Sequence, residues 1–308
     1  MSSRTQGKLQ NVAESVRQRL YERAKAAGED FQLILIRYGC ERLLYRLSQS
    51  PYRDRFILKG AMLLSVWSVT PYRATRDLDL LGHGNNEVAA LEEVFREICR
   101  IPVTDDGLQF LPDSVKGQEI REDQEYEGVR LSFEARLGVA RIPIQVDIGF
   151  GDAVVPKREV LDYPTLLDFP APRLLAYPQE TVIAEKFQSM VELGVANSRM
   201  KDFFALWFLA KRCDFRGDAL SKAIRSTFER RKTSLPTRPP VCLTVDFSGD
   251  RDKQAQWNGF LKRAGLDVQG LALAQVLPQL EAFLIPPTLA VAKGETFASH
   301  WPAGGPWA

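Results

Sequence analysis

"TRDLDLLGHG", residues 75–84, places two carboxylates one residue apart inside an apolar run. In an extended strand successive side chains alternate between faces, so Asp77 and Asp79 share one face and Leu78 and Leu80 take the other. The leucine face belongs to a core. The acidic face needs a different account. Two carboxylates held this close repel, which would raise one pKa unless a cation sits between them. Magnesium, a hard cation that prefers oxygen ligands, is the expected occupant.

An Asp-x-Asp pair also occurs by chance on solvated strands, so the surroundings carry weight. A third acid, Asp147 in "IQVDIGFGD" (residues 144–152), again sits among alternating apolar neighbours. If its strand lies beside the first, Asp77, Asp79 and Asp147 converge. Three such groups can hold metal on a nucleoside triphosphate and on an attacking hydroxyl. Upstream, "LKGAMLL" (58–64) puts Lys59 and Gly60 just before a helix start, where backbone N–H groups and a lysine can receive phosphates. A plain strand-to-helix turn accounts for Gly60 equally well.

Working outward, the first fifty residues read as two helices. "NVAESVRQRLYERAKAAG" (11–28) spaces Val12, Val16 and Leu20 helically and closes on Gly28, and the next segment starts at a capping Asp30. A helix is expected from about Ala61, a strand over 75–81 and an amphipathic helix carrying Val88, Leu91, Val94, Phe95 and Ile98. The period then falls to two. "GVRLSFEARL" (128–137) and "RIPIQVDIGFG" (141–151) predict an antiparallel pair, with "SVKGQEIRE" (114–122) a weaker strand. Beyond about 163 helices return, over 179–193, 199–212, 217–232, 252–264 and 269–284. The fold class is α+β: a small mixed sheet flanked by N-terminal helices, then a C-terminal helical lobe. The expected divisions are 1–160, 161–285 and an extended tail, 286–308, anchored by Trp301 and Trp307.

Composition narrows the chemistry. Apolar residues make up 45% of the 308 and charged residues 26%, ordinary for a water-soluble globular chain. No run has the length of a membrane span and the N-terminal stretch lacks a signal-peptide core, so a cytoplasmic protein with no membrane partner is expected. The four cysteines form no CxxC pair, against a zinc site or a disulfide framework. Only two histidines occur, His83 in a turn and His300 in a Gly/Pro-rich tail, so a histidine-based triad is a poor fit. A formal net charge of +2 does not announce a nucleic-acid binder. Basic residues do cluster near the N-terminus and in "RSTFERRK" (225–232), as a solvated helix face or as phosphate contacts.

Two charges in the helical part sit where apolar residues belong. Lys186 in "ETVIAEKFQSMVEL" (180–193) falls within the stripe of Val182, Phe187 and Met190, while Glu185 points away. Asp202 in "SRMKDFFALWFLAKR" (198–212) lies on the side of Leu206 and Leu209, opposite Lys201 and Lys211. A structural salt bridge between the two helices is one account. The other puts Lys186 on phosphate and Asp202 on an incoming hydroxyl.

The ordered set "LKGAMLL", "TRDLDLL", "VDIGFGD", "AEKFQSMVELG" and "SRMKDFFALW" resembles the AbiEii/AbiGii family of nucleotidyltransferase toxins, within the DNA-polymerase-β-like superfamily, over roughly residues 30–232. The resemblance implies a magnesium-dependent enzyme of a bacterial toxin–antitoxin pair of the abortive-infection type. Such an enzyme moves a nucleotide from an NTP, often CTP, onto the 3′ end of tRNA and stops translation. It implies Asp77, Asp79, Lys186 and Asp202 as catalytic, Asp77, Asp79 and Asp147 as metal-binding, and Lys59, Gly60, Arg76 and Lys186 as nucleotide contacts. The implied partners are tRNA and a cognate antitoxin, and nothing requires more than a monomer. The superfamily's Gly-Ser or Gly-Gly is Gly60-Ala61 here, which removes one hydroxyl donor. A protein hydroxyl as acceptor, or a non-enzymatic binding scaffold, are the alternatives.

Overall fold

The computed structural model describes residues 3–67, 75–121, 127–265 and 270–308. Ser68, Glu122 and Gln269, at the ends of expected elements, lie outside them. The class is α+β, and the chain divides into two compact units, residues 1–151 with 159–176, and residues 152–158 with 177–308.

The first unit opens with two helices, α1 (Ser3–Ala27) and α2 (Phe31–Gln49). Gly28 ends α1 at φ +65°, and the Asp30 carboxylate caps α2 by accepting from the Leu33 N–H at 3.0 Å. There follow β1 (Phe56–Lys59), the single turn α3 (Ala61–Leu64), β2 (Asp77–Gly82) and α4 (Val88–Arg100). Strands β3 (Leu108–Phe110), β4 (Lys116–Arg121), β5 (Glu127–Leu137), β6 (Ala140–Phe150), β7 (Glu159–Asp162) and β8 (Arg173–Ala176) complete it.

These strands form one mixed sheet in the order β3-β5-β6-β2-β1-β8-β7, with β4 also on β5. β5 and β6 are the expected hairpin, turned at Gly138 and Val139 with Leu137 opposite Ala140. β2 runs antiparallel to β1 and parallel to β6. Because β7 and β8 join the same sheet, this unit continues past residue 160, to Ala176. One sheet face buries Leu78, Leu80, Val146, Ile148, Val129 and Leu131. Helix α2 packs there, so closely at Gly39 that an added Cβ would press on Ile144.

The second unit is helical: α5 (Gln179–Leu193), α6 (Met200–Arg212), α7 (Gly217–Arg230), α8 (Val245–Gly249), α9 (Arg251–Ala264) and α10 (Leu273–Lys293), with a two-stranded ribbon of β9 (Phe215–Arg216) and β10 (His300–Trp301). α10 overrides the extended tail expected from 286. It continues through Pro286 and Pro287, whose missing N–H groups should break it. The Phe283 carbonyl, which Pro287 cannot serve, accepts the Trp307 indole N–H at 3.0 Å, and the Thr288 hydroxyl donates to the Leu284 carbonyl at 2.6 Å. Both expected tryptophan anchors hold: Trp301 is buried and donates to the Ala210 carbonyl at 2.8 Å.

Candidate active site

The register of the central strands places the acids. Asp79 stands opposite Asp147 across the parallel β2–β6 pair, and Asp77 opposite Gln145. Continuing outward, Lys59 faces Asp79 from β1 and Arg130 faces Asp147 from β5. One row of the sheet therefore reads Lys59, Asp79, Asp147, Arg130. Like charges directly opposite each other destabilise a sheet and unlike charges stabilise it, so the outer cations offset the inner anions.

Gly60 explains how a helix can start beside this row. It caps α3 at φ +74°, where only glycine is comfortable, and a Cβ there would run into the Asp79 carboxylate. The polypeptide thus wraps the Asp79 side chain at backbone distance. Ala61 follows and brings no hydroxyl. The nearest serine on this turn is Ser65, whose hydroxyl donates to the Met62 carbonyl at 2.6 Å and lies 3.1 Å from the Tyr163 hydroxyl. Arg76 is exposed, directly ahead of β2. Burial, with the charges of Asp77 and Asp79 adding to it, pushes the Cys40 thiol up to about 12, so it stays a neutral apolar group.

Asp147 is largely buried and engaged. Arg130 holds both its oxygens, Nε to Oδ1 at 2.8 Å and Nη2 to Oδ2 at 2.7 Å, and the Gln145 amide lies 3.4 Å from each. Among the described residues no group of three or more Asp, Glu, His or Cys side chains is placed to hold a metal ion. Asp77 and Asp79 on one strand face, with the backbone of Gly60 folded against Asp79, fit a hard divalent cation by donor type. The third expected ligand, Asp147, is committed to Arg130.

In the helical unit, Lys186 of α5 meets Asp202 of α6 at 2.5 Å, with side chains 18% and 7% exposed. Asp202 lies in the first turn of α6, where the helix dipole favours a carboxylate. Glu185 turns the other way, as its place on the helix requires. Its carboxylate lies 3.7 Å from Arg231, which also reaches Asp152 at 3.3 Å and the Gln188 side chain at 2.8 Å. Tyr177 donates toward Asp152 at 3.4 Å, and burial together with Glu185 and Asp152 drives its hydroxyl well above the usual tyrosine range. Arg231 is therefore an interior ion-pair partner and leaves the basic surface of "RSTFERRK" to Arg225, Arg230 and Lys232, which are exposed.

Sequence reasoning missed Arg130, and it missed the Asp152–Tyr177–Glu185–Arg231 cluster. The alternation of Val129 (buried), Arg130 and Leu131 (buried) signalled an outward arginine. Its partner emerges only from the cross-strand register.

The family described as "Nucleotidyl transferase AbiEii toxin, Type IV TA system" matches residues 42–284, most of the chain. The chain belongs to the AbiEii nucleotidyltransferase toxin family. Among solved structures, MenT4, a nucleotidyltransferase toxin from Mycobacterium tuberculosis, is similar over 91% of this chain and 89% of its own, at 18% identity and a TM-score of 0.51, a likeness of fold. JHP933 from Helicobacter pylori is 18% identical over 82% of this chain and 89% of its own, with a TM-score of 0.44, too slight a likeness to bear on the argument. No curated protein matches. Membership of AbiEii makes the chain a nucleotidyltransferase toxin of a type IV toxin–antitoxin system and implies an antitoxin partner. Among the described residues no helix of this AbiEii member is long and apolar enough to cross a membrane.

Proposed function

We propose that this toxin transfers a nucleoside monophosphate from an NTP, a pyrimidine nucleotide and specifically CTP, to the 3′ end of tRNA, acting as a monomer in the cytoplasm. The observation that carries the reading is the acidic row on β2, Asp77 and Asp79, with Gly60 wrapped against Asp79. Those two carboxylates would hold magnesium, which when bound neutralises charge on the phosphates.

The remaining roles belong to the chain's own groups. The terminal hydroxyl oxygen of the acceptor attacks the α-phosphorus, a new P–O bond forms, and the bond to pyrophosphate breaks. Asp202, paired with Lys186 at 2.5 Å within the helical unit, is the carboxylate that the resemblance implies as acceptor of the hydroxyl proton. In the sheet unit Lys59 serves the triphosphate as a point charge, with Arg76 directly ahead of β2; in the helical unit Lys186 carries the phosphate-contacting role that the resemblance implies. Exposed Arg225, Arg230 and Lys232 on and just after α7 supply salt-dependent attraction for the RNA backbone.

Incubation with each labelled NTP, magnesium and total RNA tests this. Label from CTP is expected on tRNA-sized RNA with the parent chain and is lost with Asp79→Ala. Label migrating with protein and surviving ribonuclease would move the acceptor to a protein hydroxyl. No label from any NTP would refute the transferase assignment for this chain.

A further inference from the structure

Arg130 and Asp147 stand opposite each other on β5 and β6, joined by two short, parallel hydrogen bonds. This bidentate form is the strongest that guanidinium and carboxylate make. Gln145, on the same strand face as Asp147, adds its amide within 3.4 Å of both oxygens. The Asp147 side chain is 12% exposed and that of Arg130 35%. Both carboxylate oxygens of the third acid therefore already carry a fixed cation, in a place from which water is mostly excluded.

We infer that Arg130 withdraws Asp147 from metal binding, so that Asp77 and Asp79 alone hold the divalent ion while the Arg130–Asp147 pair fixes a positive charge one strand away from Asp79. The inference rests on the nucleotidyltransferase reading above. For Asp147 to become a ligand, either the metal ion shares an oxygen that the guanidinium already holds and sits close to that fixed cation, or the pair opens and leaves a partly buried guanidinium without its carboxylate; both are costly. The arginine also balances the row: two cations now flank two anions, and repulsion between Asp79 and Asp147 no longer requires a metal ion to relieve it. Arg130 is thus a positioning residue, acting through Asp147.

Mn2+ binding without nucleotide, followed by the electron paramagnetic resonance signal of the free ion, tests this directly. Asp147→Asn is expected to bind Mn2+ as the parent does. Arg130→Gln, which frees a carboxylate, is expected to bind about 10-fold tighter, and Arg130→Gln with Asp147→Asn to return to the parent value. Asp79→Asn should lose binding throughout. An Asp147→Asn chain that binds 10-fold more weakly while Arg130 is present overturns the inference, as does an Arg130→Gln chain with unchanged affinity. Should Arg130→Gln fail to fold, Asp147→Asn decides alone, and Arg130→Lys, which cannot bridge both oxygens, takes its place in the cycle. A parent chain blind to Mn2+ and indistinguishable from Asp79→Asn sinks the metal half of the proposed function and this inference with it.

Discussion

Asp79 and Asp147 lie directly opposite one another on neighbouring parallel strands, each with a cation opposite it on its outer side. Two anions in register are a local cost that the fold accepts, and such costs collect where chemistry needs them. Replacing Asp79 by Asn removes one of the repelling charges without changing shape. Transfer activity is expected to fall about 100-fold or more, while the thermal midpoint stays close to the parent's. A variant that instead melts well below the parent would mark Asp79 as a structural acid.

Lys186 and Asp202 make the complementary case. Removing one partner of a mostly buried pair strands the other, so Lys186→Ala should lose about 3 kcal/mol in urea denaturation. The apolar pair Lys186→Met with Asp202→Leu should recover most of that stability and none of the transferase activity. Recovery of both would reduce the pair to a tie between α5 and α6.

Glu41 gives a pH signature independent of the active site. It is buried on α2, accepts the Leu166 N–H at 2.7 Å and lies 3.0 Å from the Arg42 guanidinium. Burial outweighs that arginine and raises its carboxyl to about 7 from the usual 4.5. Below pH 4.5 both folded and unfolded chains hold the proton. Between 4.5 and 7 the unfolded chain releases it first, so stability should decline with rising pH, by at most about 1.4 kcal/mol per pH unit from this group. Unfolding curves of Glu41→Gln across that range should lack this component. An unchanged slope would show that Glu41 titrates normally.

The C-terminal tryptophan also has a measurable role. Trp307→Phe keeps a ring against Phe283 but deletes the N–H that serves the carbonyl left open by Pro287. A loss of about 1–3 kcal/mol is expected in chemical denaturation, with transfer unaffected at a temperature where the chain remains folded. Equal stability would mean the helix tolerates its two prolines unaided.

Much of this was legible because it is local. Alternation put Asp77 and Asp79 on one face, and the helical period put Lys186 and Asp202 inward toward each other; both patterns need only a few neighbouring residues. The strand pairing of 128–137 with 141–151 followed from a short turn. What stayed hidden depends on distant partners. Arg130 and Asp147 meet through a register that the hairpin alone sets, seventeen residues apart. Arg231 looked like one more surface cation in a basic run, yet Asp152, from 79 residues upstream, draws it inward. β7 and β8 are four residues each, too short for a period to show. The passage of α10 through Pro286 and Pro287 depends on an indole supplied 24 residues from the carbonyl it serves.

The contact between Gly60 and Asp79 offers a tool as well as an explanation. Gly60→Ala adds one methyl group, in a backbone conformation and a space that both refuse it, and alters no ionisable residue. Such an allele should be silent in labelling assays while presenting the same electrostatic exterior to RNA and to the antitoxin. Growth arrest caused by nucleotide transfer could then be told apart from arrest caused by mere sequestration.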